Sequence, residues 1–194
     1  GSVSCWFRVI TPVVTGDNTI WSFSADDANT FLFLRVDTTT GASDEGRLVA
    51  WLRDGGTNEW AYATANDSID LDGTWYHVVV TIDTTLATEY DRIKIWVNSE
   101  RQTLSETQKG FPGLNYEGHI NTGDGTWGHF VGDMDGTGNG EFDGHMSDFY
   151  FIDGYALGPE NFAEYKSGVW IPKAYAGPPP LLTDSSSSNH ELQT

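Results

Sequence analysis

Residues 132–144 read Gly-Asp-Met-Asp-Gly-Thr-Gly-Asn-Gly-Glu-Phe-Asp-Gly, an oxygen-rich stretch broken by glycines. Hard cations such as calcium take several oxygen ligands from tight loops of this composition. Asp133, Asp135, Asn139, Glu141 and Asp143 are the candidate ligands, helped by main-chain carbonyls. The spacing follows an EF-hand loop only at its start. The twelfth position counted from Asp133 is Gly144, where a bidentate glutamate would be needed. A solvated turn between two strands explains the same residues equally simply.

A second set is aromatic. Trp60 and Tyr62 alternate on one face of a predicted strand, Trp127 sits in a glycine-rich stretch, and Tyr116 is close by in sequence. Aromatic faces beside polar groups stack on sugar rings, so these four are the candidate carbohydrate-binding residues. Aromatics also supply much of any core, which is the competing explanation. Other chemistry finds little support. The five histidines (His77, His119, His129, His145, His190) have no zinc-ligand spacing, and no nucleophile elbow or Walker loop occurs. Residues 136–140 look like a glycine-rich phosphate loop but lack a following lysine and lie among acids.

Those residues need a scaffold, and the sequence describes one. The chain has 194 residues, enough for one sizeable core, with 13% aromatics, 22 glycines and 7 prolines. Short β-rich runs alternate with Gly, Asp, Asn and Thr clusters, the rhythm of a sandwich or barrel. Strands are predicted over residues 3–10, 20–24, 31–37, 47–53, 59–64, 75–83, 91–98, 101–104, 127–132 and 144–153. Tyr76, Val78, Val80 and Ile82 share one face of their strand, as do Ile93, Ile95 and Val97 of the next. The run from Met146 to Ile152 is apolar on both faces and is predicted to be a central strand. One short helix is predicted over residues 158–165, with Pro159 and Glu160 at its start, Gly168 after its end, and Leu157, Phe162 and Tyr165 on its buried side. The glycine-rich stretch from 105 to 128 is expected to be a functional or oligomer-forming loop. The domain boundaries read as a sandwich over 1–177 and a Pro/Ser-rich tail or linker over 178–194.

With 28 acidic against 10 basic residues, the formal net charge is −18. Phosphate backbones and anionic membranes are repelled by such a surface, so nucleic acid and membrane insertion are not expected. No apolar run reaches the ~18–20 residues of a membrane-spanning helix. Cys5, the one cysteine, lies in an apolar run and reads as a small buried residue. A strand-like run begins almost at once, so a segment of a longer parent protein could precede it.

Trp75-Tyr76-His77-Val78-Val79-Val80-Thr81, Ile93-Lys94-Ile95-Trp96-Val97-Asn98, and Phe142-Asp143-Gly144 with Asp148-Phe149-Tyr150 resemble the laminin G-like and pentraxin-like branch of concanavalin A-like lectin/glucanase domains. In the second block Trp96 stands for the family's tyrosine and Ser99 for its glycine. Ser2-Val3-Ser4-Cys5-Trp6-Phe7 is similar to the family's early strand. The C-terminal block, from Phe151 to Leu157 and from Gly168 to Gly177, resembles the ending of such domains in marine bacteriophage structural proteins.

The resemblance implies an all-β, antiparallel two-sheet jelly-roll sandwich, exposed on a virion or outside a cell. It implies binding of host-surface glycans or virion proteins, sometimes with calcium, and possible homo-oligomers. Glucanases of the family present Glu-x-Asp-x-x-Glu on one strand face, because retaining hydrolysis needs two carboxyls ~5–5.5 Å apart. Here the match is Glu141, Asp143 and then Met146, so one acid is missing. The expectation is a non-enzymatic phage virion module, a tail fibre or capsid decoration. The alternatives are a purely structural oligomerisation protein and, third, a β-glucanase-type hydrolase.

Overall fold

A computed structural model describes residues 1–10, 17–25, 31–38, 45–54, 57–64, 69–106, 111–118, 127–134 and 140–177; Trp60, Tyr62 and Trp127 are described through their backbone only. Two antiparallel sheets face each other. The five-stranded sheet contains β1 (Ser2–Val9), β6 (Tyr76–Ile82), β7 (Ile93–Val97), β8 (Glu100–Arg101) and β11 (Gly144–Ile152), in the order β11-β1-β6-β7-β8. The six-stranded sheet contains β2 (Asp17–Ala25), β3 (Phe31–Asp37), β4 (Leu48–Asp54), β5 (Thr57–Thr64), β9 (Leu104–Glu106) and β10 (Trp127–Val131), in the order β10-β2-β3-β4-β5-β9. A separate hairpin joins β12 (Ala163–Lys166) to β13 (Val169–Pro172).

The core follows from period-2 alternation. Val3, Cys5, Phe7 and Val9 of β1, Val78 and Val80 of β6, and Ile93 and Ile95 of β7 form one inner face. Leu32, Leu34 and Val36 of β3 and Leu48, Ala50 and Leu52 of β4 lie in the facing layer. Each fully buried aliphatic or phenyl side chain contributes roughly 1.5–3 kcal/mol relative to exposure. Ile20 and Trp21 are neighbours in sequence, yet both join the core. The β2–β3 register shifts between Thr19 and Trp21, and this bulge lets consecutive residues face inward. Cys5 is sealed in the core, and burial pushes its thiol up to about 12, the behaviour of an inert packing residue.

Three expectations need correction. The helix expected over 158–165 is a single 3-10 turn, Pro159–Asn161, followed by β12. Proline at the turn start and glycine after the segment are also the marks of a 3-10 turn followed by a hairpin. Ser167 (φ 52°) and Gly168 (φ 79°) form its two-residue turn, both with positive φ as a type I′ turn requires. Leu157 and Phe162 are buried as expected, but Tyr165 is 63% exposed.

The run from Gly144 to Ile152, expected in the middle of a sheet, is the edge strand β11. Its second apolar face is covered by the C-terminal segment, in which Leu157, Phe162 and Tyr175 pack with Val79, Trp96, Tyr150 and Ile152. The strand expected at 101–104 is divided between the sheets. Glu100–Arg101 pairs with β7, and Leu104–Glu106 pairs with β5.

Candidate functional site

The best-defined polar cluster lies on the outer face of the five-stranded sheet. On β1, Ser4, Trp6 and Arg8 alternate with the core residues, and on β6 His77 sits opposite Trp6. Trp6 stacks on the His77 imidazole, with centroids 4.9 Å apart and planes 15° from parallel. Trp170 of β13 lies over the same ring, and its indole Nε1–H donates to His77 Nδ1 at 3.1 Å. An indole nitrogen only donates, so Nδ1 must be the unprotonated nitrogen. The proton is therefore on Nε2, which donates to Ser4 Oγ at 2.9 Å. Burial pushes the His77 imidazole down to about 4, against a smaller upward pull from Asp148. His77 is thus a neutral structural pin at neutral pH, as its place in the strand pattern predicts.

The C-terminal hairpin is tied down around that pin. The Ser99 hydroxyl lies 3.0 Å from the Tyr165 hydroxyl, and the Tyr165 and Trp170 rings meet at 4.9 Å. Ser2 Oγ donates to the Tyr155 carbonyl and accepts the Leu157 N–H, both at 2.6 Å. Further along the same face, Arg8 stacks over the Trp75 indole at 5.2 Å. Trp75 is 39% exposed, so this end of the face is open to solvent.

The acidic stretch is pinned at both ends. Phe142 N–H donates to the Gly132 carbonyl, and Thr19 N–H donates to the Gly140 carbonyl. Asn18, fully buried, accepts the Asp143 N–H at 2.8 Å through Oδ1 and donates to Thr38 Oγ1 through Nδ2. Ser22 Oγ donates to the Met134 carbonyl at 2.6 Å, with that of Asp133 at 3.1 Å. Asp133, Glu141 and Asp143 are the candidate ligands that the structure describes, whereas Asp135 and Asn139 lie outside the described residues. Among the described residues, no three acidic, histidine or cysteine side chains converge as a metal site.

The Glu141-x-Asp143-x-x-Met146 trio is not presented on a strand face. Glu141 and Asp143 precede β11, which opens at Gly144, and Met146 packs against the core. The two carboxylates therefore do not share the alternation that the glucanase arrangement requires.

The four aromatic candidates do not form one cluster. In the β4–β5 register Trp60 stands opposite Leu52 and Tyr62 opposite Ala50, two core residues. Trp127 pairs with Ala25 on β10, at the far edge of the same sheet. Four strand spacings separate β10 from β5, about 19 Å. Tyr116 is partly buried against the core, and its carbonyl accepts Thr84 Oγ1 at 3.0 Å. Trp6, Arg8, Trp75, Tyr165 and Trp170 were not singled out from the sequence as site residues. The available signal was aromatic and cationic residues on strand positions that alternation assigns to the outside.

A search among curated proteins finds no significant match. Among solved structures, the chain is similar to domain 4 of AbnA, a GH43 extracellular arabinanase from Geobacillus stearothermophilus, in complex with arabinotriose. That similarity has 16% identity, covers 76% of this chain and 57% of that one, and has a TM-score of 0.45. It is also similar to a native heptameric SAP-like pentraxin from Limulus polyphemus, with 20% identity, 76% and 61% coverage and a TM-score of 0.42. The chain spans less than two thirds of the length of either structure. A laminin G-like family model, described as concanavalin A-like lectin/glucanases superfamily, matches residues 1–160. With two antiparallel sheets around one core and this match over most of its length, the chain belongs to the concanavalin A-like lectin/glucanases superfamily.

Proposed function

We propose that this domain is a non-catalytic recognition module on a bacteriophage particle, as part of a tail fibre or a capsid decoration, facing the medium. It binds host-surface glycans or neighbouring virion proteins. The observation that carries the non-catalytic reading is Met146. A thioether packed against the core occupies the position at which the hydrolytic arrangement needs a third carboxyl. The virion setting rests on the resemblance of residues 151–177. Much of that block is a layer bound to the sandwich through Leu157, Phe162, Trp170 and Tyr175.

Calcium at the acidic loop is a further part of the proposal. The donor types suit a hard cation, and Asp135 and Asn139 would have to complete a ligand set begun by Asp133, Glu141 and Asp143.

The reading is tested by antibody labelling of phage particles together with a glycan array. Labelled virions and retained glycans support it. Absence from virions with no glycan retained overturns it.

A further inference from the structure

We propose that the cleft at the sandwich edge, where the chain crosses from β8 to β9, binds a short neutral saccharide. Tyr90 and Phe111 give the cleft aromatic walls, and Arg101, Gln102 and Thr103 take the sugar hydroxyls. The glycan-binding reading above, on which this rests, thereby acquires a surface and a ligand class.

The cleft has a volume of about 380 Å³, within the ~300–1,000 Å³ of small-ligand sites. Ile93 and Leu104, both packed into the core, lie at its base. The Tyr90 ring is 61% exposed and meets the Phe111 ring at 4.5 Å with planes 69° apart, so the two form a corner and not a flat patch. The apolar faces of a sugar ring pack on such rings, while the hydroxyls at its edge need polar partners. Those partners are open to a ligand. The Arg101 side chain is 47% exposed, Thr103 is exposed and Gln102 is partly so. Among the described residues, the Tyr90 and Thr103 hydroxyls have no hydrogen-bond partner. The Gln102 side-chain nitrogen donates to the Glu100 carbonyl at 3.1 Å, which leaves its oxygen as an acceptor.

The two walls are fixed to each other. Arg92 is buried and, among the described residues, forms no ion pair. It donates instead to the carbonyls of Leu86 at 2.8 Å, Ala87 at 3.1 Å and Pro112 at 2.8 Å. Leu86 and Ala87 belong to the loop that carries Tyr90, and Pro112 follows Phe111, so one guanidinium ties both aromatic segments together. Thr84 adds two ties: its carbonyl accepts the Asn115 N–H, and its hydroxyl donates to the Tyr116 carbonyl. Walls held in advance lower the ordering cost of binding. Arg101 is held as well. Its Nη2 donates to the Tyr90 carbonyl and meets Asp91 Oδ1, both at 3.0 Å, leaving Nε and Nη1 for a ligand. Guanidinium donors beside carboxylate oxygens match adjacent sugar hydroxyls, each of which both donates and accepts. The same pair selects a neutral sugar. A carboxylate or sulfate placed on Arg101 would meet the Asp91 oxygens, on a chain of net charge −18.

The test is proton–nitrogen NMR on the full chain, titrated with cellobiose, lactose, digalacturonate and any neutral sugar retained on a broad glycan array. Expected are saturable shifts of the Arg101 Nε–H, the Gln102 side-chain amide and the Thr103 backbone amide with a neutral sugar at millimolar concentration, and weaker shifts with digalacturonate. Tyr90→Ala weakens the binding about threefold to tenfold, and Arg101→Ala weakens it about tenfold or more. Tyr90→Phe keeps the ring and retains most of the binding. Both side chains are largely exposed, so these variants melt close to the unmodified chain. Unmoved signals at these three residues with every neutral sugar, binding indifferent to both Tyr90→Ala and Arg101→Ala, or tighter binding of digalacturonate than of any neutral sugar overturns the proposal. If glycans bind but perturb other residues, this cleft is wrong while the recognition reading stands. If no glycan on the array binds, the proposal and the glycan-binding reading fall together.

Discussion

The Trp170 indole N–H donates to Nδ1 of His77, joining residues 93 positions apart across the outer face of the five-stranded sheet. That bond fixes the histidine tautomer and needs an uncharged ring. Protonation would place an N–H against the Trp170 N–H. The imidazole loses protons more readily in the folded chain, near 4, than in the unfolded chain, near 6.5.

Stability should therefore depend on acid in a defined window. Between about pH 6.5 and 4 the unfolded chain binds the proton that the folded chain refuses, so the His77 contribution is complete above that window and is lost as pH falls through it. The loss is about 3 kcal/mol. His129, whose imidazole is also lowered by burial, adds a step of the same sign. Denaturant melts from pH 7 to 4 should show the decline, and His77→Gln should flatten most of it.

Ser99 occupies a position better suited to glycine. The β7–β8 turn has positive φ at Asn98 (49°) and Ser99 (75°), and an L-residue in that region is strained. Ser99→Gly should stabilise the domain by about 0.5–1 kcal/mol despite losing the contact with Tyr165. Thermal melting should rise by about 2 °C.

Gly144 permits close approach of two strands. A Cβ there would overlap the Arg8 carbonyl oxygen of the paired strand and the Phe142 ring. Gly144→Ala should cost about 2–3 kcal/mol through displaced backbone. Gly113→Ala, where a Cβ meets nothing within 4 Å, should be close to neutral in the same denaturant melts.

Calcium should raise the melting temperature by binding the folded state alone. Scanning calorimetry at millimolar calcium should show the rise, and Asp133→Asn combined with Asp135→Asn should abolish it. No shift in the unmodified chain would remove calcium from the account.

The strands were legible because alternation is local: Val78, Val80, Ile93 and Ile95 declare their face within a few residues. The third layer was not legible. Apolar residues on both faces of β11 report burial on both sides, which a sheet neighbour or an overlying segment explains equally. Only the contacts of Phe162 and Tyr175 with Tyr150 decide between them. Pro159 and Gly168 mark a start and an end, but the same residues punctuate a helix or a 3-10 turn followed by a hairpin. The outer-face cluster depends on register between β1 and β6 and on a hairpin far along the chain, so no local spacing displays it. The acidic loop showed the reverse problem: its composition is conspicuous, while ligand convergence is a property of three-dimensional placement.

Saccharide binding without hydrolysis is tested by one equilibrium measurement. Acidic and neutral oligosaccharides, β-glucans included, are incubated with the protein, separated from it and analysed by mass. An oligosaccharide is expected to be retained by the protein, with every sugar recovered at its original length. Shortened products that disappear with Glu141→Gln would contradict it.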